Sequence, residues 1–231
     1  MASTYVNNLR LNEMATGDAS GTWGTTTNTN LELIGEALGY GTEAITTNAD
    51  THTSTVADGA SDAARAMYVK YTGTLDSACT ITIAPNTMKR VQIIENATSG
   101  SQSIIIKQGS GSTVTIPTGR VAVVYLDGAG SGGAVVNAFT DLDLAGTLSI
   151  AGAVAAATDM TVGDDLTLSS DAAVLGFGAD TDVTLTHVAD TALLLNSSRQ
   201  LQFGDSGTYI HQSADGVLDL VADTEIEINA T

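Results

Sequence analysis

The chain has 231 residues and sets 8 Lys and Arg against 26 Asp and Glu, a net charge of −18. So acidic a chain is a poor partner for nucleic acid or for an anionic membrane surface. Gly, Ala, Ser and Thr make up nearly half of it, aromatic residues only 4%, and 43% of the chain is apolar; this excludes a disordered acidic tail and points to β structure with tight turns.

Charge divides the chain unevenly. Residues 1–120 hold seven basic and ten acidic residues, whereas residues 121–231 hold Arg199 alone against sixteen acids. The apolar pattern changes near the same place. Three zones result: 1–53 as an N-terminal attachment region, 54–139 as a β domain and 140–231 as a shaft.

In the first zone Thr29 and Glu32 stand at capping-box spacing. Leu31, Ile34, Ala37 and Leu38 follow at helical spacing, and Gly39 stands where a glycine cap belongs. The spacing predicts a helix of about ten residues, too short to hold by itself, whose apolar face rests on another surface. Before it, Gly21-Thr22-Trp23-Gly24 reads as a turn carrying the only Trp. Trp23 is either a local packing anchor or an anchor docked on a partner protein.

The middle zone reads as seven strands at 66–71, 78–84, 88–95, 103–108, 113–116, 120–127 and 134–139, separated by Gly, Pro and Asn turns. Such spacing predicts a small antiparallel sandwich. Its expected interior is Val69, Cys79, Ile81, Ile83, Val91, Ile93, Ile105, Val114, Ile116, Val123 and Val135. Cys79 is the single cysteine, so it forms no intrachain disulfide and reads as a small apolar strand residue.

The last zone carries apolar pairs two residues apart: Leu142 and Leu144, Leu148 and Ile150, Met160 and Val162, Leu166 and Leu168, then Val183 and Leu185. Leu193 and Leu195, Leu201 and Phe203, Leu218 and Leu220, and Ile226 and Ile228 complete the series. Each pair predicts a very short strand with one apolar face. Two inward side chains bury about 3–6 kcal/mol, and ordering their strand costs about as much. One chain therefore lacks a core here. Three parallel copies around a threefold axis supply one, so the pattern predicts a homotrimeric β-shaft with these pairs at its centre. The acids between them keep such a shaft soluble.

Motifs that carry chemistry have plainer readings. Gly128-Ala129-Gly130-Ser131-Gly132-Gly133 matches a dinucleotide fingerprint, yet a short β-branched run follows where a helix is needed, so it reads as a hairpin loop. Gly176 to Asp182 matches one turn of a calcium-binding β-roll, a motif that needs stacked copies. Asp141-x-Asp143 and Asp164-Asp165 are carboxylate pairs in an acid-rich region and read as a solvated face. His52, His187 and His211 show no metal-ligand spacing, although a threefold axis could gather one His per chain. No signal-peptide pattern and no apolar run of about 18 residues occurs, so neither a membrane span nor a cofactor is expected.

Three segments carry a resemblance: Asn7-Asn8-Leu9-Arg10-Leu11, Ser20-Gly21-Thr22-Trp23-Gly24, and Asn28-Thr29-Asn30-Leu31-Glu32-Leu33-Ile34. Tyr71-Thr72-Gly73-Thr74-Leu75-Asp76, residues 94–100, Ile116-Pro117 and Val124-Tyr125-Leu126-Asp127-Gly128 extend it. On these segments the N-terminal part of the chain, up to about position 140, resembles tail fibre proteins of marine tailed bacteriophages. The resemblance implies a virion component, made in the host cytoplasm, whose N-terminal region docks on tail or adaptor proteins. It also implies a shaft that carries host-receptor binding distally, so this chain meets the receptor only indirectly. The docking residues expected are Tyr5, Leu9, Leu11, Trp23, Leu31, Ile34 and Leu38. A capsid fibre or decoration protein shares the trimeric logic. A polysaccharide-cleaving tailspike is the enzymatic alternative, disfavoured because few aromatic residues follow Phe139. The short-strand pattern runs on to Thr231 without a capping unit, which suggests the proximal part of a longer fibre or a second capping protein.

Overall fold

The structure is a computed structural model that describes residues 3–140, 142–156 and 159–228. Asp141, one member of an acidic pair, and Asn229, Ala230 and Thr231 lie outside the described residues. The chain forms two compact units, residues 1–148 and 149–231. No helix among the described residues is long and apolar enough to cross a membrane.

Among its described residues the first unit holds one α-helix, α1 (Trp23–Ala37), two single-turn 3-10 helices and nine strands. These are β1 (Tyr40–Ala44), β2 (Thr51–Thr55), β3 (Tyr68–Thr72), β4 (Cys79–Ala84), β5 (Lys89–Asn96), β6 (Ile104–Lys107), β7 (Val114–Ile116), β8 (Val121–Asp127) and β9 (Val135–Asn137). Up to β6 the chain alternates between two sheets, ordered β1-β3-β5-β8-β9 and β2-β4-β6-β7. Each return adds a strand in the same direction as the one before. In the first sheet Tyr40 pairs with Tyr68, and Tyr68 with Ile93. In the second Thr51 pairs with Thr80, and Thr80 with Ile105. The result is a three-turn coil, closed by the antiparallel strands β7, β8 and β9.

All seven strands expected in the middle zone form, but the antiparallel sandwich is corrected. The two layers exist, yet β1, β3 and β5 are mutually parallel, as are β2, β4 and β6. Two further strands, β1 and β2, belong to the stretch read as N-terminal, and β2 spans residues 53 and 54. The coil's corners stack as well. Gly100 has φ +95°, and a Cβ there would collide with the Leu75 carbonyl oxygen of the turn below, so only glycine lets these turns approach.

The core includes Val69, Tyr71, Cys79, Ile81, Ile83, Ile94, Ile104, Ile106, Ile116, Val124, Leu126 and Val135. Val69, Cys79, Ile81, Ile83, Ile116 and Val135 are where the alternation put them. Burial of Cys79 pushes its thiol pKa up. On β5, β6 and β8 the expected face is wrong by one residue. Val114 on β7 shares the face of Ile116 and packs against the core, whereas Val91 is 59% exposed and Ile93, Ile105 and Val123 are only partly buried. Their places are taken by Gln92, Ile94, Asn96, Ile104, Ile106, Val124 and Leu126. A one-residue slip inverts a strand's faces, and here buried amides disguise it. Gln92 Nε2 donates to the Ala64 and Ala66 carbonyls, and Asn96 Nδ2 donates to those of Gln102 and Ile116. Two polar residues thus replace backbone bonds that the corners would otherwise lack.

The second unit has six strands in two three-stranded antiparallel meanders. The first joins β10 (Val174–Phe177), β11 (Val183–Val188) and β12 (Ala192–Leu195); the second joins β13 (Leu201–Phe203), β14 (Asp205–Ala214) and β15 (Val217–Val221). Strands expected at Leu142 and Leu144, Leu148 and Ile150, Met160 and Val162, Leu166 and Leu168, and Ile226 and Ile228 do not form in the single chain. A two-residue apolar segment has no ladder partner there, and an isolated strand leaves its N–H and C=O groups unpaired. Where strands do form, hairpins provide that partner, and β14 reaches ten residues. No described residue between 149 and 228 is buried.

Candidate attachment surface

α1 begins earlier than its capping pattern suggests. It runs for 15 residues from Trp23, Thr22 provides no side-chain cap, and Thr29 and Glu32 lie inside it. Its C-terminal turn closes through the Gly39 N–H donating to the Glu36 carbonyl, without a left-handed glycine. The docking face also differs. Leu33 and Ala37 are buried, and Asn30 on the same side exchanges two hydrogen bonds with the Asn12 backbone, at 3.0 and 2.9 Å. Asn30, Leu33 and Ala37 stand three and four residues apart, one stripe of the helix.

Trp23, Leu31, Ile34 and Leu38 lie on the adjoining, more open side of the helix. They are 67%, 60%, 36% and 67% exposed. At 100° per residue these four fall within a face about 80° wide and about 22 Å long. The reading of Trp23 as a local packing anchor is overturned by its exposure. Four of the seven residues expected to dock on a partner thus share one side of the helix, with Thr27 between Trp23 and Leu31.

Tyr5, Leu9 and Leu11 lie on a different element, an N-terminal arm that is half-buried and pinned to the coil. Thr4 bridges Glu13 to close the arm on itself. The Tyr5 hydroxyl accepts from Asn12 Nδ2 at 3.2 Å, and its ring lies against Gly59. The Leu11 N–H donates to Asn7 Oδ1 at 2.9 Å. Arg65, fully buried, donates to the Leu9, Ala57 and Ala60 carbonyls and to Asp62. Arg10 pairs with Asp58 at 2.6 Å, and Asn8 accepts from the Lys89 N–H at 2.9 Å.

Arm and helix meet in a shallow apolar groove lined by Leu9, Ile34, Leu38, Met67 and Val91, with Arg65 and Arg90 beneath. Burial pushes the Arg90 guanidinium down to about 10, against the opposing influence of Asp62. Its Nη2 donates to the Ala64 and Ala66 carbonyls. No sequence pattern signals Arg65 or Arg90, because a buried arginine is recognised only by the carbonyls that the fold brings to it.

The remaining polar cluster lies inside the coil. Ser54 donates to Glu43 at 2.5 Å, His52 meets the same carboxylate at 2.7 Å, and the Tyr71 hydroxyl donates to Ser54 at 2.9 Å. Ser54 and His52 both address Glu43 and not each other, so the cluster lacks a nucleophile–base contact. It closes the first turn of the coil with satisfied polar groups.

The predicted shaft residues fall into separate groups. Leu175, Leu185 and Leu195 form one registered row across β10, β11 and β12, and Leu193 pairs with His187 beside it. Leu166 and Leu168 flank that face at one end and Leu201 at the other. Leu220 pairs with Ile210, and Ile210 with Leu201, in the second meander, with Ile226 against them; Leu218 pairs with Gln212. Leu142, Leu144, Leu148, Ile150 and Ile228 are exposed and outside strands.

The glycine-rich loop 128–133 joins the antiparallel strands β8 and β9, as a hairpin connection. Asp127 organises it by accepting from the Ala134 and Ala129 N–H groups, which hold its carboxyl below the usual range. Gly176 to Asp182 is likewise the β10–β11 hairpin. Among the described residues, no three His, Cys, Asp or Glu of one chain gather as metal ligands. Compared with family models, curated proteins and solved structures, the chain finds no match.

Proposed function

We propose that this chain is a structural protein of a tailed-phage virion, a homotrimeric tail fibre. Its N-terminal region binds a tail or adaptor protein, and its shaft carries host attachment distally, without cofactor or catalysis. One observation carries the reading: the second unit aligns its leucines on sheet faces and buries none of them. Leu166, Leu193, Leu201 and Leu218 are each more than half exposed. Faces of this kind are covered by other chains in a stable assembly, and threefold repetition covers all copies equally. The exposed stripe of α1 supports the attachment role, since Trp is enriched at interface hot spots.

A polysaccharide-cleaving enzyme fits less well. The apolar outer face of the five-stranded sheet carries Glu95 near one end and Asp127 at the other. Glu95 pairs across from Val121, six strand residues from Asp127, or about 20 Å. Paired carboxylates for glycoside hydrolysis stand about 5–10 Å apart. Antibody against the first unit, applied to purified virions and imaged, is expected to mark the tail. Capsid labelling favours a decoration protein, and unlabelled particles overturn the virion assignment.

A further inference from the structure

His187 stands on β11, the middle strand of its sheet, on the same face as Val183 and Leu185. It pairs in register with Leu193 and shares a hollow with Leu166, Leu168, Ala173 and Leu175. It is the only titratable side chain lining that hollow among the described residues. The other two histidines are provided for: His52 meets Glu43 at 2.7 Å, and His211 meets Asp219 at 3.5 Å with Tyr209 against its ring.

His187 Nδ1 lies 3.3 Å from the Ser170 carbonyl oxygen. A carbonyl only accepts, so Nδ1 is the donor in this contact, and in the neutral ring Nε2 offers its lone pair. This is the bond that orients metal-ligating histidines and leaves the second nitrogen free. On the homotrimer reading, on which this inference rests, the leucine face is covered by two other copies. Three imine nitrogens then enter an apolar interior that offers them no donor, and a buried acceptor without a partner is costly. Ala173, whose carbonyl accepts the His187 N–H at 2.8 Å, is the smallest side chain beside the ring and leaves room.

We propose that the three His187 Nε2 atoms of the trimer bind one divalent transition-metal ion on the threefold axis. Imidazole nitrogens suit zinc and nickel, and three such ligands leave positions for water. The site exists only between copies, which is why a single chain gathers no ligand set.

The test uses the untagged full-length chain, stripped with chelator and titrated with Zn²⁺ and then Ni²⁺ by calorimetry, with metal content and oligomeric mass measured on the same samples. One ion per three chains is expected. His187→Leu, which keeps the face apolar, should remain trimeric and bind about 100-fold more weakly or worse. His211→Gln should bind as the parent does. A trimer that takes up no ion, or binding that survives His187→Leu, overturns the metal site and leaves the trimer standing. A monomeric parent chain overturns both.

Discussion

The two units solve the same composition problem in opposite ways. Both are rich in small residues and poor in aromatics, yet the first buries a continuous core from Ile45 to Val135 and the second buries none of its described residues. The difference is in the return path. In the first unit each turn of the coil brings a strand back beside its predecessor, so Cys79 and Ile104 face Val69 and Ile94 across one interior. In the second unit the hairpins are local, and among the described residues neither three-stranded sheet buries its apolar face. Burial in the first is intramolecular; on the trimer reading, burial in the second comes from other chains.

The sharpest way to break this contrast is a charge in the second unit. Leu195→Glu places one carboxylate per chain on the registered row of Leu175, Leu185 and Leu195, and on the trimer reading three meet in the interior, where uncompensated buried charge is not tolerated. The variant is expected to lose assembly entirely by light scattering, with the melting of the first unit unchanged. The converse change, Ile81→Ala in the coil, opens a cavity worth about 2–5 kcal/mol. It should lower the first unit's thermal transition and leave the oligomeric mass alone.

Arg65 comes next. Replacing it with Met removes the donors that hold the Leu9, Ala57 and Ala60 carbonyls and leaves Asp62 without its ion pair. A loss of about 3 kcal/mol is expected, with hydrogen exchange accelerated first in residues 3–13. A smaller effect comes with alkali. Burial raises the Tyr71 pKa far above its ordinary 10.0, with the Ser54 hydrogen bond opposing. A raised folded value means its contribution is complete below pH 10 and declines as pH climbs beyond. The first unit's resistance to chemical denaturation should fall above pH 10, and Tyr71→Phe should flatten that dependence. Smallest in stability is Trp23→Ser: at 67% exposure it should shift folding by less than about 0.5 kcal/mol. On the fibre reading it nevertheless removes the attachment stripe's largest anchor, so a competition assay for virion incorporation should show the loss.

Strand positions in the coil were legible because Val and Ile runs end at Gly and Pro: Pro85 follows β4 and Pro117 follows β7. Strand direction was not. Local alternation says nothing about a partner one whole turn of the coil away, and the nearest strand in sequence suggests a hairpin. Face assignment failed on β5 for a chemical reason, since Gln92 and Asn96 look like surface residues until the Ala64, Ala66 and Ile116 carbonyls are in place. The start of α1 escaped notice because Gly24, Thr25, Thr26 and Thr27 are poor helix formers; the helix is held by Asn30, Leu33 and Ala37 docking on the arm and coil. Of the residues expected to attach, helical spacing puts Leu31, Ile34 and Leu38 together with Ala37, but Ala37 is buried while the other three are exposed. In the second unit the leucine pairs named the apolar faces well. Secondary structure beyond Phe139 was over-read, because a pair such as Leu142 and Leu144 has no strand to bond with in its own chain.

On the trimer reading, the second unit is completed by identical chains. Native mass spectrometry of the 231-residue chain, repeated by sedimentation equilibrium across a hundredfold concentration range, measures this directly. A single species at three times the chain mass of 23.5 kDa is predicted. A folded monomer of 23.5 kDa whose second-unit amides are as protected as those of the coil would contradict it.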